Sequence, residues 1–250
     1  MLGGGAGSDL LDGGVGIDTA NYGDAGGALT APLSINLLGL ITVTLGVGDI
    51  FGVVVDLSRT TAQQTYTSGV DTLTSIENVS GSALDDLLSG DAGGNALYGR
   101  TGDDTLSGAD GNDTLVGSDG DDVIFGGAGA DSIVGGVGLD EMRGNAGADV
   151  FVFQQLETPG IVFLDRIIDF DRTVDRIDLS AIDANSGLAG DQAFSFVGSF
   201  TGQAGQITRS YEFLLGRTVL RVDADGDGAG DDLVFQVNGN LSSGTEGFIL

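Results

Sequence analysis

From Thr72 to Phe151 a large apolar side chain returns at every ninth position: Val79, Leu88, Leu97, Leu106, Leu115, Ile124, Ile133, Met142 and Phe151. That period matches neither the 3.6 of an amphipathic helix nor the alternation of a long strand. It describes a three-residue strand that points one side chain inward while its neighbours face solvent. A strand this short cannot bury enough apolar surface to offset its own ordering entropy, so successive coils must stack. If each nonapeptide makes half a coil, turns on one side recur every eighteen residues. The expected fold is therefore all-β, a parallel β-roll.

The same pattern opens the chain. Gly4-Gly-Ala-Gly-Ser-Asp9-Leu-Leu11-Asp and Gly13-Gly-Val-Gly-Ile-Asp18-Thr-Ala-Asn are two further repeats, and Leu2 already occupies an inward position. A chain that starts in mid-array reads as a fragment, or as a short relative of a longer protein. Residues 22–71 lose the repeat but keep β-rich runs, Leu33 to Leu45 and Ile50 to Leu57, and read as a spacer between arrays. After residue 150 the composition changes: ten of the twelve Phe follow it, whereas 33 of the 46 Gly precede it. The expected organisation is a partial array over 1–21, the spacer over 22–71, the main roll over 72–150 and, over 151–250, a β-sandwich-like cap with an aromatic core, continuous with the roll.

Between the apolar positions lies the chemistry. Gly90, Gly99, Gly108, Gly117, Gly126, Gly135 and Gly144 keep the nine-residue period, and a second glycine set follows three positions behind. Each unit reads GGxGxDxUx, with U a large aliphatic, the signature of a calcium-loaded parallel β-roll. The glycines permit a tight turn whose carbonyls converge. The sixth position adds Asp86, Asn95, Asp104, Asp113, Asp122, Asp131, Asp140 and Asp149, with Asp9 and Asp18 in the first array. Carbonyls and short carboxylates form an oxygen-only donor set, which suits calcium rather than zinc or copper. The eighteen-residue period places Asp86, Asp104, Asp122 and Asp140 in one ladder and Asn95, Asp113, Asp131 and Asp149 in the other. Without cations each ladder is a row of mutually repelling carboxylates.

Composition narrows this further. The chain holds 32 Asp against 5 Glu, and 9 Arg with no Lys or His, for a net charge of −28. Selection for solubility alone gives no reason to avoid Glu, whereas a ligand in a tight turn favours the shorter acid. The absence of a basic patch argues against nucleic acid. Without His or Cys there is no zinc hydrolase site, no Ser-His-Asp triad and no thiol chemistry. Carboxylate-pair catalysis is disfavoured because pairs such as Asp103-Asp104 and Asp121-Asp122 sit at fixed repeat positions. No apolar run is long enough for a membrane-spanning helix, and the first residues lack the form of an ordinary secretory signal. Arg166, Arg172 and Arg176, set among Asp165, Asp169, Asp171, Asp175 and Asp178, are expected to form internal ion pairs, and Arg100 and Arg143 to be solvent-facing charges. Asp223-Ala-Asp225-Gly-Asp227-Gly228 reproduces the first half of an EF-hand loop, but Val234 stands at its twelfth position; an acidic hairpin is the better reading.

The repeats resemble the RTX (haemolysin-type calcium-binding) family, and residues 144–250 resemble the C-terminal domain of serralysin-type secreted metalloproteases. The second resemblance rests on Gly147-Ala-Asp-Val-Phe-Val-Phe153, Asp165-Arg-Ile-Ile-Asp-Phe170, Asp175-Arg-Ile-Asp-Leu-Ser-Ala-Ile-Asp183, Gly190-Asp-Gln-Ala-Phe-Ser-Phe196 and the terminal Gly247-Phe-Ile-Leu250. It implies several Ca2+ ions held by the sixth-position Asp residues and by turn carbonyls such as those of Gly126, Gly127, Ala128, Gly129, Gly135, Gly136 and Gly138. It also implies an uncleaved C-terminal signal read by a type I secretion apparatus, and an extracellular location. Asn95, Arg100, Asn145 and Leu84 depart from the repeat, so weaker sites are expected beside them. The resulting expectation is a non-catalytic calcium-binding module that folds on calcium after export. The alternative is a calcium-dependent module for an anionic polysaccharide or a cell surface.

Overall fold

The computed structural model describes residues 1–3, 10–22, 27–28, 33–37, 41–45, 50–59, 61, 63–64, 70–154, 164–185, 192–230, 232–241 and 245–250. The described residues form strands and turns with no helix, and two sheets carry the architecture. The first, of nine strands, runs in the order Leu2–Gly3, Thr19–Asn21, Asn78–Ser80, Ala96–Thr101, Thr114–Asp119, Ser132–Val137, Val150–Val152, Arg176–Asp178 and Phe248–Ile249, with every neighbour parallel. The second has ten strands. From Val54–Asp56 it passes through Leu87–Ser89, Thr105–Asp110, Val123–Ala128, Glu141–Ala146 and Asp165–Ile167 to Leu233–Asn238, all parallel, and ends in Arg217–Asp223, Gln206–Glu212 and Ser195–Phe196. The chain alternates between the sheets, so each nonapeptide is half a coil.

The expected eighteen-residue register is present on both sides. Leu97 pairs with Leu115 and Leu115 with Ile133, while Leu106 pairs with Ile124 and Ile124 with Met142. All six are essentially fully buried, in one apolar cluster with Phe151, Ile167, Ile177, Ile207, Leu220 and Phe235. Roll and cap therefore share a single core. Within the two large sheets, the antiparallel pairings are those of Arg217–Asp223 with Gln206–Glu212 and with Leu233–Asn238. Across the spacer, Thr19–Asn21 pairs directly with Asn78–Ser80, and Leu10–Asp12 with Val70–Thr74. Leu33–Leu37 and Ile41–Leu45 form a separate antiparallel pair.

The central strands differ from the expected three residues: they run for six, as in Thr105–Asp110 and Ser132–Val137. Pairing continues past the first glycine of the next repeat and stops only at its third position, which shortens the turn to the last three. The extension passes through a left-handed residue at the second position. Glycine accepts this at Gly136 (φ +125°), where a Cβ would stand 1.9 Å from the Ser118 carbonyl oxygen. Arg100, Ala109, Ser118 and Asn145 adopt the same region with φ of 93°, 79°, 89° and 64°. A side chain there costs about 1–2 kcal/mol. Substituting Ser118→Gly should therefore raise stability by about 1 kcal/mol, and Gly136→Ala should lower it by more, read as shifts of the urea midpoint in saturating calcium. Ile124→Ala, which empties a fully buried position, should cost about 2–5 kcal/mol in the same assay.

Candidate metal centre

The turns bring the sixth-position acids inside. Asp104, Asp113, Asp122, Asp131, Asp140 and Asp149 are each 1–2% exposed. One carboxylate oxygen of each acts as a rung: Asp104 N–H donates to Asp122 Oδ1 at 2.8 Å, Asp122 N–H to Asp140 Oδ1 at 2.9 Å, Asp113 N–H to Asp131 Oδ1 at 2.9 Å and Asp131 N–H to Asp149 Oδ1 at 3.0 Å. Each of these four rungs spans eighteen residues, so the two expected ladders exist as hydrogen-bonded columns. The short aspartate side chain thus reaches a backbone N–H one coil away while its second oxygen stays inside the turn.

The second oxygen has no such partner. Oδ2 of Asp104, Asp113, Asp122, Asp131, Asp140 and Asp149 is buried without a hydrogen-bond donor. It lies in space kept open by the first glycine of its own repeat and beside the carbonyl of the next coil. A Cβ on Gly117 would fall 2.1 Å from Asp122 Oδ2 and 2.7 Å from the Gly135 oxygen; on Gly126, 2.5 Å from Asp131 Oδ2 and 2.7 Å from the Gly144 oxygen. Two acceptors facing one another with no donor between them are stabilised by a proton or a cation. Burial accordingly pushes the carboxyls up, to about 8 for Asp104 and Asp122, about 7 for Asp113 and about 6 for Asp149, with neighbouring carboxylates adding to the rise. The donor set is oxygen alone and fits a hard divalent ion.

The ladders end where the protein supplies the missing donors. Asp86 accepts from Val53 N–H, from the Ser82 amide at 2.6 Å and from the Ser82 hydroxyl at 2.9 Å, so both of its oxygens are occupied. Asn95 accepts from Asp91 N–H at 2.8 Å and donates through Nδ2 to the Glu77 carbonyl at 2.9 Å. Asp18 is half-buried and donates its amide to Glu77 Oε2 at 2.8 Å, which puts a glutamate at a sixth position in the role of a rung. Asp9 lies outside the described residues. Among the turn residues, Gly127, Gly129, Gly136 and Gly138 are left-handed. The Ala128 carbonyl accepts from Gly111 N–H at 2.8 Å, which leaves it one lone pair. Gly126 and Gly135 are first glycines and lie inside the extended strands Val123–Ala128 and Ser132–Val137.

Both ladders also continue beyond the repeats. Asp140 N–H donates to Asp165 Oδ1 and Asp149 N–H to Asp175 Oδ1, each at 3.1 Å, although the separations are 25 and 26 residues. Asp165 and Asp175, expected as partners of arginines, are buried rungs instead. The signal was in the sequence: Asp165-Arg-Ile167 and Asp175-Arg-Ile177 repeat the acid-x-aliphatic end of the nonapeptide. The ion pairs among described residues all use glutamate: Arg143 and Arg166 with Glu141, Arg172 with Glu246 and Arg217 with Glu212. Arg143 also stacks over Phe125 at 5.3 Å and is not simply solvent-facing. Asp169 receives the amides of Gly144 and Asn145 at 3.0 and 2.9 Å.

A separate acidic cluster, Asp223, Asp225 and Asp227, brings one oxygen of each within 4.8 Å. Asp223 accepts from Gly226 and Gly228, and Asp225 from Asp227, while Val234 at the twelfth position is a buried strand residue. This is the geometry of a closed hairpin loop, not of an EF-hand.

Comparison with known proteins follows the same division. The family described as Peptidase M10 serralysin C terminal matches residues 69–250, and the RTX calcium-binding nonapeptide repeat matches residues 4–20. A serralysin of Proteus mirabilis is 32% identical over 96 residues, which take in 38% of this chain and 19% of that protein. Among solved structures, the AlgE6R2 subunit of the Azotobacter vinelandii mannuronan C5-epimerase is 26% identical with a TM-score of 0.33, over 68% of this chain and 91% of that one. The AlgE6R3 subunit is 31% identical with a TM-score of 0.34, over 66% and 78%.

The raised carboxyls set a sign for pH. In chelator, protonation of the folded state is favoured relative to the unfolded chain, whose carboxyls titrate near 3.8. The ladders' contribution is then complete below that value and is lost as pH rises through about 6 to 8. Urea unfolding of the chelated chain should show its highest midpoint near pH 4 and a steady fall towards pH 8. In excess calcium this fall should disappear.

Proposed function

The chain belongs to the family of serralysin C-terminal domains and carries RTX calcium-binding repeats, and from that premise we propose that it is a non-catalytic module whose folding is switched on by calcium outside the cell. The observation that supports this is the pair of columns of buried Asp Oδ2 atoms without donors. At neutral pH and low calcium these groups oppose folding. Millimolar extracellular calcium, against loop affinities of about 10⁻⁴ to 10⁻³ M, reverses the balance. Asp104, Asp113, Asp122, Asp131, Asp140 and Asp149 would hold the ions together with turn carbonyls, and Asp165 and Asp175 would close the columns. When bound, the ions supply charge neutralisation and a link between coils.

The C-terminal strand supports the link to export. Phe248 pairs with Ile177 and Ile249 with Asp178, in parallel, at the edge of the nine-stranded sheet. A terminal segment paired into the sheet is free to be threaded only in the unfolded chain, so an apparatus that reads it must act before calcium does. In this reading the protein is bacterial, secreted through a type I apparatus and extracellular.

Calcium titration of the purified chain, followed by circular dichroism with magnesium as control, tests the proposal. A cooperative gain of β signal specific to calcium is expected. An Asp122→Ala, Asp131→Ala variant, which removes one rung from each column, should shift the midpoint at least tenfold upward. A chain fully folded in chelator at pH 8 would refute the mechanism.

A further inference from the structure

The hairpin of Gln206–Glu212 and Arg217–Asp223 turns through Phe213, Leu214 and Leu215, which are 83%, 95% and 62% exposed. Three consecutive large apolar side chains in solvent are not incidental surface. The turn that presents them is firmly closed. The amides of Leu215 and Gly216 both donate to the Glu212 carbonyl, at 3.0 and 2.9 Å, and the Gly216 carbonyl accepts from Gly239 N–H at 2.8 Å. Arg217 clamps its base, Nε to Glu212 Oε2 at 2.7 Å and Nη1 to Gln236 Oε1 at 2.5 Å. The Tyr211 ring meets Phe213 edge-on, with centroids 6.5 Å apart.

Shape limits what such a tip can meet. Successive residues of a helix-like turn rotate by about 100°, so the three side chains leave in different directions and form a convex apolar cap. A flat protein surface could cover one or two of them. A fluid apolar layer can surround all three.

Charge adds a second, independent limit. Residues 206–222 hold Arg209, Arg217 and Arg221 against Glu212 alone, a net +2, so the other residues of this −28 chain carry −28 − 2 = −30. The apolar tip thus stands on a hairpin of net positive charge in a strongly acidic protein. Arg221 is exposed, and Arg209 stacks over the Phe196 ring at 4.3 Å. Apolar residues at the front with arginines one to three turns of the pleat behind them match the acyl boundary and the anionic headgroups of a lipid surface.

We propose that this hairpin tip inserts into anionic lipid membranes, with Phe213, Leu214 and Leu215 entering the headgroup–acyl boundary and the exposed Arg221 drawn towards lipid phosphates. The acidic roll is repelled by the same surface, so attachment is confined to the tip and the roll stands away from the membrane.

Flotation of the calcium-saturated full chain with mixed phosphatidylglycerol–phosphatidylcholine vesicles tests this. A Phe213→Ser, Leu214→Ser variant, altered only at exposed positions and checked for an unchanged circular dichroism spectrum, should lose vesicle binding by roughly tenfold or more. Arg221→Gln should weaken binding to the mixed vesicles and leave binding to pure phosphatidylcholine vesicles unaltered. Three results would overturn the proposal. They are a parent chain that stays in the vesicle-free fraction; a variant that floats as well as the parent, as when calcium bridges Asp side chains to headgroups; and a parent dimer in sedimentation velocity that the variant dissolves, which assigns the tip to a second copy of the chain.

Discussion

A buried carboxylate oxygen with no donor is the constraint around which this protein is built. In an ordinary domain such an atom would be removed by substitution or answered by a hydroxyl or amide. Here Oδ2 of six sixth-position acids shares the same deficit, and the glycines that hold the space open admit no side chain to correct it. The other oxygen of each acid is fixed by a rung to the coil below, so these side chains cannot turn outward without breaking the backbone network. Stability of the roll is therefore tied to an external variable, proton or cation, more closely than to the quality of its packing.

The same rungs explain how a repetitive roll becomes a domain with an end. Asp165 and Asp175 receive the amides of Asp140 and Asp149 just as any repeat residue would, yet they are reached through longer connections. The strands that carry them pass the parallel sheets on to Leu233–Asn238 and Phe248–Ile249, where larger aromatic residues take over the core. At the other end Asp86 is saturated by Val53 and Ser82, and Asn95 brings its own donor. The columns are closed by protein groups at one end and lead into the cap at the other.

Most of the roll was legible because one period fixes both structure and chemistry. Leu88 to Phe151 and Asp86 to Asp149 repeat at nine residues, and stacking makes that period a register. Six-residue strands were not legible, because Arg100, Ala109, Ser118 and Asn145 carry side chains where the left-handed backbone calls for glycine, and a residue's φ is not written in its type. Asp165 and Asp175 were misassigned because nearby arginines offered an obvious pairing. Glutamates took Arg166 and Arg172, Arg176 turns to the Asp175 carbonyl, and the aspartates took backbone amides. The apolar hairpin tip was hidden within a run of alternating strand residues, where nothing in the pattern marks which three occupy the turn.

One consequence is mechanical. The strands Leu2–Gly3 and Phe248–Ile249 occupy opposite edges of the same nine-stranded sheet, about 38 Å apart at the usual spacing between strands. Tension applied between them acts along the interstrand hydrogen bonds rather than across them. The rungs would then open one coil after another, like a zipper, and each opened coil would lengthen the chain by eighteen residues. The stacking that ties each coil to the next leaves the array compliant along a single axis.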